Sequence, residues 1–293
     1  MDSGLPRVHR RAGPSGRARL PVLRVSDMRL QISHTTRYRF DEPIKHGLQQ
    51  LRLTPKSNRA QTVVQWQTLV AGGKQELAFD DYHNNHVELI SLDRDVTEVT
   101  VQCQGQVELE ETHGVVGPHK GPAPLWLYRK VTSRTKIGPR LRHLIRAVPA
   151  DGTELDRLHR LNHEINGQVQ YQAGVTDSGW TAEQAAAEGR GVCQDMAHVY
   201  IACAREMGVP ARYVSGYLLV EDQPFGDASH AWAEAHVDGL GWVGFDPAND
   251  QSPDIRYVRV ATGLDYAEAA PVTGTRVGGD GESLTVEVAV QTQ

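Results

Sequence analysis

The stretch from Val99 to Glu110 alternates between two kinds of residue, and this alternation constrains the fold more than any other part of the chain. Apolar residues and one glycine fall on every second position, whereas threonine, glutamine and glutamate fill the positions between them. Successive side chains of a strand point to opposite faces of a sheet, so the pattern predicts a half-buried strand. Weaker strand patterns cover 30–40, 48–53, 62–71, 77–79 and 87–92. The N-terminal part is therefore expected to be all-β, with Cys103 on the apolar face of its strand as a core residue.

Helical spacing replaces the alternation in the second half of the chain. Apolar residues recur at intervals of three and four in two segments, Leu141, Leu144 and Ile145 in one and Leu155, Leu158, Leu161 and Ile165 in the other. A third helix is expected from Cys193 to Gly208-Val209-Pro210, where glycine and proline end it and Cys203 packs inside. Strands are expected at 211–220, 230–237, 241–246 and 284–290. The fold class that follows is α+β, with an all-β N-terminal domain followed by helices packed on an antiparallel sheet.

The composition narrows the classes of partner and compartment. With 39% hydrophobic and 23% charged residues, the 293-residue chain resembles a soluble globular protein of one large or two medium domains. Its formal net charge of -5 gives no reason to expect nucleic acid or an anionic membrane as a partner. No apolar run is long enough for a transmembrane helix. Three cysteines without a C-x-x-C pair predict neither a disulfide framework nor a zinc knuckle, and they fit the reducing cytoplasm.

Four regions are expected along the chain. Residues 1–27 contain six arginines and several Gly and Pro residues, and they are interpreted as a disordered extension or a start codon assigned too early, ahead of Met28. An arginine-rich targeting peptide is the alternative, which the helix-breaking Gly and Pro disfavour. Residues 28–112 are expected to form the β-rich domain, 113–149 a linker and helix, and 150–293 a second domain of helices and strands.

Three residues supply a nucleophile, a base and an acid in this order along the chain. Cys193 stands at the predicted start of a helix, where the helix N-terminus and a nearby imidazolium would stabilise a thiolate. His230 opens one predicted strand, and Asp246 closes the next. A carboxylate behind an imidazole fixes its tautomer and orientation. Asp195 in the first helical turn would disfavour the thiolate if it faced the sulfur, so it is expected to cap backbone N–H groups.

The turn between the two strands provides a test of this hypothesis. Asp238-Gly239-Leu240-Gly241 predicts a hairpin that brings His230 and Asp246 close together. Side chains alternate between faces, so His230 and Asp246 share a face only if the loop has an odd number of residues or the strands contain a bulge. A two-residue turn at Asp238-Gly239 would separate them.

Several motifs in one order resemble the bacterial transglutaminase-like family, whose core is papain-like. They are 189-GRGVCQDMAH-198, 208-GVPARYVSGY-217, 229-SHAWAE-234 and 241-GWVGFDP-247. The resemblance covers about residues 150–290, and the β-rich segment from Met28 resembles the N-terminal domain that often precedes this core. It implies that Cys193, His230 and Asp246 are the nucleophile, the base and the orienting acid. It carries no calcium dependence here, because no acidic cluster forms an EF-hand.

The implied activity is cysteine-dependent acyl-enzyme chemistry on an amide or peptide bond of a peptide or protein, without a cofactor. Hydrolysis is favoured over transfer to an amine, and a catalytically inactive binding or assembly module is the alternative. The backbone N–H of Cys193 is the expected oxyanion donor, with Trp180 and Gln194 as further oxyanion or substrate candidates, although packing in the core or in a lid is favoured for Trp180. A metal site at His230, His236 and Asp246 is disfavoured, since the two histidines are about 20 Å apart along a strand. The sequence predicts no oligomeric state.

Overall fold

The computed structural model describes residues 28–174, 179–220 and 229–292. The predicted extension at 1–27 lies outside them. The strands are Met28–Arg39 (β1), Ile44–Leu51 (β2), Gln61–Ala71 (β3), Gly73–Asp80 (β4), His86–Leu92 (β5), Glu98–Leu109 (β6), Val115–Gly117 (β7), Gln170–Tyr171 (β8), Arg190–Gly191 (β9), Ala211–Leu218 (β10), Ser229–Val237 (β11), Gly241–Phe245 (β12), Tyr257–Gly263 (β13), Val272–Gly278 (β14) and Ser283–Thr292 (β15). The α-helices are Pro139–Ala147 (α1), Glu154–Gln168 (α2), Ala182–Glu188 (α3), Cys193–Glu206 (α4) and Tyr266–Ala269 (α5), and Leu125–Arg129 is a 3₁₀-helix.

Two antiparallel sheets make up the N-terminal half. One has the strand order β15-β1-β6-β3 and the other β14-β2-β5-β4. The alternating stretch forms β6, in which Val99, Val101, Cys103 and Val107 are fully buried, as the pattern predicts. The side chains of Val99, Val101 and Cys103 join Ile44, Leu51, Ile90 and other residues of the second sheet in one apolar core. Burial of this face between two sheets is what the strict alternation requires.

The second half consists of helices packed on an antiparallel sheet of order β13-β10-β11-β12-β7. Helix α4 lies at the centre of its core, because all but two of its residues are buried. Its apolar side chains meet those of α1 and α2 on one side and Ala231, Ala233 and Ala235 of β11 on the other. Small residues on β11 allow the helix to approach the sheet closely. The α+β class is therefore confirmed, with α4 fixed against the strand that carries His230.

The pairing of the last two strands was not foreseen from the sequence. β15 pairs with β1 and β14 pairs with β2, so residues 272–292 return to the N-terminal sheets. Strand β7, which lies inside the predicted linker, adds to the second-half sheet beside β12. Alternation in 284–290 predicts a strand but does not specify its partner. The predicted ranges 113–149 and 150–293 remain an interpretation of the sequence, and strand pairing crosses both.

An apolar layer joins the two halves. Leu30, Ile32, Val107, Val288 and Val290 of the N-terminal sheet pack against Tyr217, Val258, Val260 and Ala261 of strands β10 and β13. Buried apolar contact of this extent favours one fixed arrangement of the two halves. Within 28–174, 179–220 and 229–292, no helix is long and apolar enough to span a membrane.

Candidate active site

Helix α4 begins at Cys193, as the sequence predicts. The carboxylate of Asp195 accepts a hydrogen bond from the backbone N–H of Val192 at 2.9 Å, so it caps the helix as expected. A side chain at Gly191 would meet Asp195, because a Cβ placed there lies 2.8 Å from the Asp195 Cβ. The first N–H groups of a helix have no carbonyl partner within it. Together with the helix dipole, they favour an anion at the Cys193 sulfur.

The β11–β12 hairpin has the odd-length turn that the triad hypothesis requires. Val237 pairs with Gly241 and Ala233 pairs with Phe245, so three residues form the turn. Gly239 and Gly241 both have φ of 82°, a conformation that favours glycine. This register places Asp246 on the same face of the sheet as Trp232 and His230. The two-residue turn that would have separated the histidine from the acid is not formed.

His230 is held between aromatic rings at the start of β11. Its imidazole stacks on Trp232 at a ring-centre distance of 6.2 Å and meets the edge of Tyr257 at 5.8 Å. On the neighbouring strand β10, Gly216 pairs with His230. A Cβ at Gly216 would lie 2.7 Å from Trp232 and 2.1 Å from the carbonyl oxygen of Val258, so only glycine fits there. The glycine thus gives the Trp232 ring the space in which it supports the imidazole.

Asp246 is completely buried and accepts hydrogen bonds at both carboxylate oxygens. His230 Nε2, Asn249 Nδ2 and the Tyr257 hydroxyl each lie 2.7 Å from Oδ2, and the Ala248 N–H lies 3.0 Å from Oδ1. Burial alone would raise the pKa of this carboxyl, but the hydrogen bonds and the His230 charge outweigh it and lower the pKa below its usual value. The buried group is therefore an ionised acceptor for His230.

The sulfur of Cys193 interacts with the same imidazole and favours its charged form. Since Nε2 is engaged by Asp246, the ring nitrogen left for the sulfur is Nδ1. Burial opposes protonation of the ring, but the hydrogen bonds and charges of Asp246 and Cys193 outweigh it and raise the pKa of His230 from 6.5 to about 10. The structure thus brings together Cys193, His230 and Asp246, the three residues predicted from the sequence. An imidazolium between a thiol and a carboxylate can stabilise a thiolate at neutral pH.

A cleft of about 320 Å³ opens beside His230 between the two halves of the molecule. The wall formed by the second half includes Gln194, Tyr213, Ser215, Ser229, His230 and Tyr266. Its other wall comes from the N-terminal sheets and their neighbours, with His34, Thr36, Tyr38, Arg52, Leu284 and Val286. The described residues that line this cleft include no carboxylate. A negatively charged segment of a ligand would therefore meet no repelling carboxylate in the cleft.

The two further candidates from the sequence lie in different environments. Gln194 is half-buried, lines the cleft and accepts a hydrogen bond from the Cys193 sulfur at 3.4 Å through Oε1. Trp180 is partly buried against the helical core, as the packing interpretation predicts. It lies outside the set of described residues that line the cleft. Of the two, only Gln194 is placed where it can touch a substrate.

Sequence reasoning missed the residues that surround Asp246 on the side away from His230. Asn249 lies three residues after the acid, in the turn that follows Pro247, and Tyr257 opens the next strand. A short polar residue in a turn after a strand is a common signal of local hydrogen bonding, so Asn249 could have been found. Tyr257 gives no such signal, because its contact depends on the path of the chain between Asp246 and β13.

No metal site is formed by the alternative set His230, His236 and Asp246. The His236 ring packs against Trp242 at 5.4 Å, at the far end of β11. Over 28–174, 179–220 and 229–292, no group of three or more His, Cys, Asp or Glu side chains is arranged to hold an ion. His230 and Asp246 engage each other directly.

Comparison with known proteins agrees with this architecture. Residues 30–108 match the family model of the bacterial transglutaminase-like N-terminal region, and residues 142–247 match that of the transglutaminase-like superfamily. Together the two segments take in more than half of the chain. A protein of Mycobacterium leprae without a characterised function is 29% identical over 279 residues, which is 89% of this chain and 98% of its own length. A second such protein, from Mycobacterium bovis, is 28% identical over 293 residues, with 89% and 91% covered.

One solved structure shows that the fold extends over both halves. The crystal structure of a candidate cysteine protease from Cytophaga hutchinsonii superposes with a TM-score of 0.74 at 19% sequence identity. The superposition covers 92% of this chain and 91% of that one. At this identity the likeness concerns the fold, including the position of the β-rich half against the core. The matched segments, the fold and the order of the motifs together assign the chain to the transglutaminase-like superfamily, with a bacterial transglutaminase-like N-terminal region ahead of its core.

Proposed function

We propose that this protein catalyses cysteine-dependent acyl-enzyme chemistry on an amide or peptide bond. The observation that carries the proposal is the unbroken line of contacts from the Cys193 sulfur through His230 to the buried carboxylate of Asp246. The sulfur lies at a helix N-terminus, and the imidazole opens onto the cleft. A nucleophile, a base and an orienting acid in hydrogen-bond contact are the parts that acyl transfer needs.

The reaction follows from the positions of these groups. The Cys193 thiolate attacks the carbonyl carbon, and the carbonyl electron pair moves to the oxygen, which the backbone N–H of Cys193 stabilises. As the C–N bond breaks, the His230 imidazolium gives its Nδ1 proton to the leaving amine, and a thioester remains on Cys193. An incoming water or amine then loses a proton to His230 and attacks the thioester carbonyl, the C–S bond breaks, and the thiolate–imidazolium pair is restored. Asp246 stabilises the imidazolium throughout.

Hydrolysis by water is favoured over transfer to an amine. The structural relative from Cytophaga hutchinsonii, described as a candidate cysteine protease, supports a peptide or protein as the substrate. The three cysteines are free thiols, which fits the cytoplasm as the compartment. The rival function is an inactive transglutaminase-like binding or assembly module. The Asp246 carboxylate accepts four hydrogen bonds, which disfavours that rival. A buried charge is costly to stability, and an inactive module would gain nothing from it.

The pH dependence of alkylation at Cys193 tests the proposal. In the wild type, iodoacetamide should react rapidly well below pH 8.5, because the charged His230 stabilises the thiolate. Since the pKa of His230 is raised to about 10, the imidazolium should continue to stabilise the thiolate as the pH rises, until it loses its own proton near that pH. In His230→Ala, the rate should instead rise along the titration of an ordinary thiol, at about pH 8.5. Mass spectrometry of the labelled peptide gives both rates.

His163→Ala is the matched control for this measurement. His163 also pairs with a carboxylate, that of Asp250, but its side chain is 80% exposed and belongs to α2. Its removal should leave the alkylation profile unchanged. Slow alkylation of the wild type, with no dependence on His230, would contradict the proposal and favour the binding module.

The cleft wall from the N-terminal half should contribute to substrate binding. Val286 of β15 lines the cleft and is 47% exposed. In Val286→Gln, we expect labelling of Cys193 by a chloroacetamide attached to an apolar pentapeptide to slow by up to about ten-fold, the value of burying one valine side chain. Labelling by chloroacetamide itself should not change, because the triad is intact. The rates are read by mass spectrometry of the intact protein.

Val277→Gln is the control for Val286→Gln. Val277 is similarly exposed, also on an edge strand of the N-terminal half, but it lies on β14 and outside the residues that line the cleft. It should label at the wild-type rate with both reagents. Equal rates for the two valine variants would mean that this wall does not touch the substrate.

A further inference from the structure

Tyr257 reaches the candidate triad from the far side of Asp246. Its hydroxyl donates a hydrogen bond to Asp246 Oδ2 at 2.7 Å, the same oxygen that accepts from His230 Nε2. We infer that Tyr257 is a positioning residue that fixes the Asp246 carboxylate towards His230 during acyl transfer. The inference rests on the proposed function, and it extends the site beyond the residues that the motifs contain.

The direction of the Tyr257 hydrogen bond is determined by its other partner. A tyrosine hydroxyl has one proton, and the amide Nε2 of Gln251 lies 2.6 Å from the Tyr257 oxygen. The amide nitrogen can only donate, so the tyrosine oxygen accepts from Gln251 and its own proton points to Asp246. A hydroxyl held in this way cannot rotate to donate elsewhere without losing the Gln251 bond. The arrangement directs a fixed donor at the carboxylate.

Gln251 is itself anchored at both ends. Its backbone exchanges two hydrogen bonds with the backbone of Asp246, at 2.8 and 3.2 Å. Its Oε1 accepts from Arg256 at 3.2 Å, and Arg256 forms an ion pair with Asp254. The side chain amide is therefore oriented, with its oxygen towards Arg256 and its nitrogen towards Tyr257. A chain of hydrogen bonds therefore leads from the Arg256–Asp254 ion pair through Gln251 and Tyr257 to Asp246.

Packing fixes the Tyr257 ring as firmly as its hydroxyl. The residue is 4% exposed, and its ring meets Trp232 edge-on at 5.4 Å and His230 at 5.8 Å. The same side chain thus contacts the imidazole through its ring and the carboxylate through its hydroxyl. Movement of Tyr257 would change the distance between the acid and the base. This double contact distinguishes it from Asn249, which donates to the same carboxylate from the turn after β12 but has no ring to pack on His230.

 

The charge of Asp246 connects this contact to a measurable property. The titratable groups that touch the carboxylate are His230 and Tyr257, with Cys193 beyond the first and Asp254 beyond the second. Burial and the Asp246 charge raise the pKa of Tyr257, so the hydroxyl remains a donor. The hydrogen bond from Tyr257 helps to keep the pKa of Asp246 low. Without it, the carboxyl would take up a proton at a higher pH and would stop supporting the imidazolium.

Tyr257→Phe tests this role, because it removes the hydroxyl and keeps the ring. We expect the acid side of the iodoacetamide profile at Cys193 to move to higher pH. At pH 5 the rate should fall by about ten-fold, as expected for loss of a hydrogen bond to a charged group, while the rate at pH 8 changes much less. A purely structural role would lower the rate equally at both pH values. Gln251→Ala should shift the profile in the same direction by a smaller amount, because the hydroxyl is then free to rotate.

Tyr128→Phe is the control variant. Tyr128 is also buried, and its hydroxyl also has a hydrogen-bond partner, His83, outside the site. Its alkylation profile should match that of the wild type. An unshifted acid limb in Tyr257→Phe, in a wild-type background whose alkylation is fast and dependent on His230, would overturn the positioning role alone. Slow wild-type alkylation without that dependence would overturn the proposed function and this inference with it.

Discussion

Replacing Cys193 with alanine is expected to abolish turnover and to leave the fold intact. Loss of the nucleophile removes the thioester route entirely, so the rate should fall by at least about four orders of magnitude. Cys193 is 7% exposed at the first position of α4, and alanine is a good helix former. The free energy of unfolding should therefore change by no more than about 1 kcal/mol, in the range of a mild substitution.

The measurement is product formation from a peptide library, read by mass spectrometry in water enriched in heavy oxygen and with a primary amine present. Heavy oxygen in the new carboxyl group indicates hydrolysis. A product heavier than the unlabelled acid by the mass of the amine minus that of water indicates transfer. Both products should disappear in Cys193→Ala. The same experiment therefore decides between the two outcomes of the thioester.

Cys203→Ala is the matched control, because it removes a buried thiol from the same helix. Burial raises the pKa of Cys203, and its sulfur contacts the carbonyl oxygen of Leu141 at 3.9 Å, in the helical core. This thiol should be unreactive, and its removal should leave turnover at the wild-type level. Turnover that survived in Cys193→Ala would assign the chemistry to another group.

The alternating and helical patterns predicted most of the fold, since they report which face of an element is buried. The run from Val99 to Glu110 became β6, and the helical stripe after Cys193 became α4. Helix α3 was missed, because its alanine-rich sequence has little amphipathic contrast. Thr181 and Gln184 nevertheless form a capping box at its start, which is a readable signal. The partners of β14 and β15 depend on contacts across more than 200 residues, and no local pattern encodes them.

The candidate site was predictable where the chemistry and the local geometry coincide. The glycine-rich turn after Val237 limits the hairpin registers, so the sequence specifies which loop lengths would place His230 and Asp246 on one face, and the three-residue turn is one of them. The cleft wall could not be predicted in this way, because Tyr38 and Val286 approach His230 only after the two halves pack together. Tyr257 is a similar case, since its position relative to Asp246 depends on the return of the chain into β13.

Of the changes considered, Asp246→Asn is expected to cause the largest loss of activity after Cys193→Ala. The carboxylate oxygen Oδ2 faces three donors, from His230, Asn249 and Tyr257. If asparagine placed its oxygen at this position, its NH₂ group would face the N–H of Ala248, and two donors would oppose each other. If it placed its NH₂ group there instead, that group would face all three donors. In either orientation the negative charge is lost. The turnover number should fall by about 10³- to 10⁴-fold, as expected when the tautomer and charge of the base are no longer controlled.

The pH profile separates this effect from a loss of binding. The Asp246 carboxylate contributes to the raised pKa of His230, so its neutral replacement should lower that pKa. Alkylation of Cys193 should then lose its rapid phase below pH 8.5, while KM for a peptide substrate changes little. Turnover should remain above that of Cys193→Ala, because the nucleophile is still present.

Asp250→Asn provides the comparison in the same turn. Asp250 pairs with His163 at 2.7 Å, and its φ of 49° is one that asparagine adopts readily. It should keep wild-type turnover and the wild-type alkylation profile. If Asp246→Asn matched Asp250→Asn in both, the buried carboxylate would have no part in supporting His230. The three-residue turn would then serve only the fold, and the chemistry would rest on the Cys193–His230 pair.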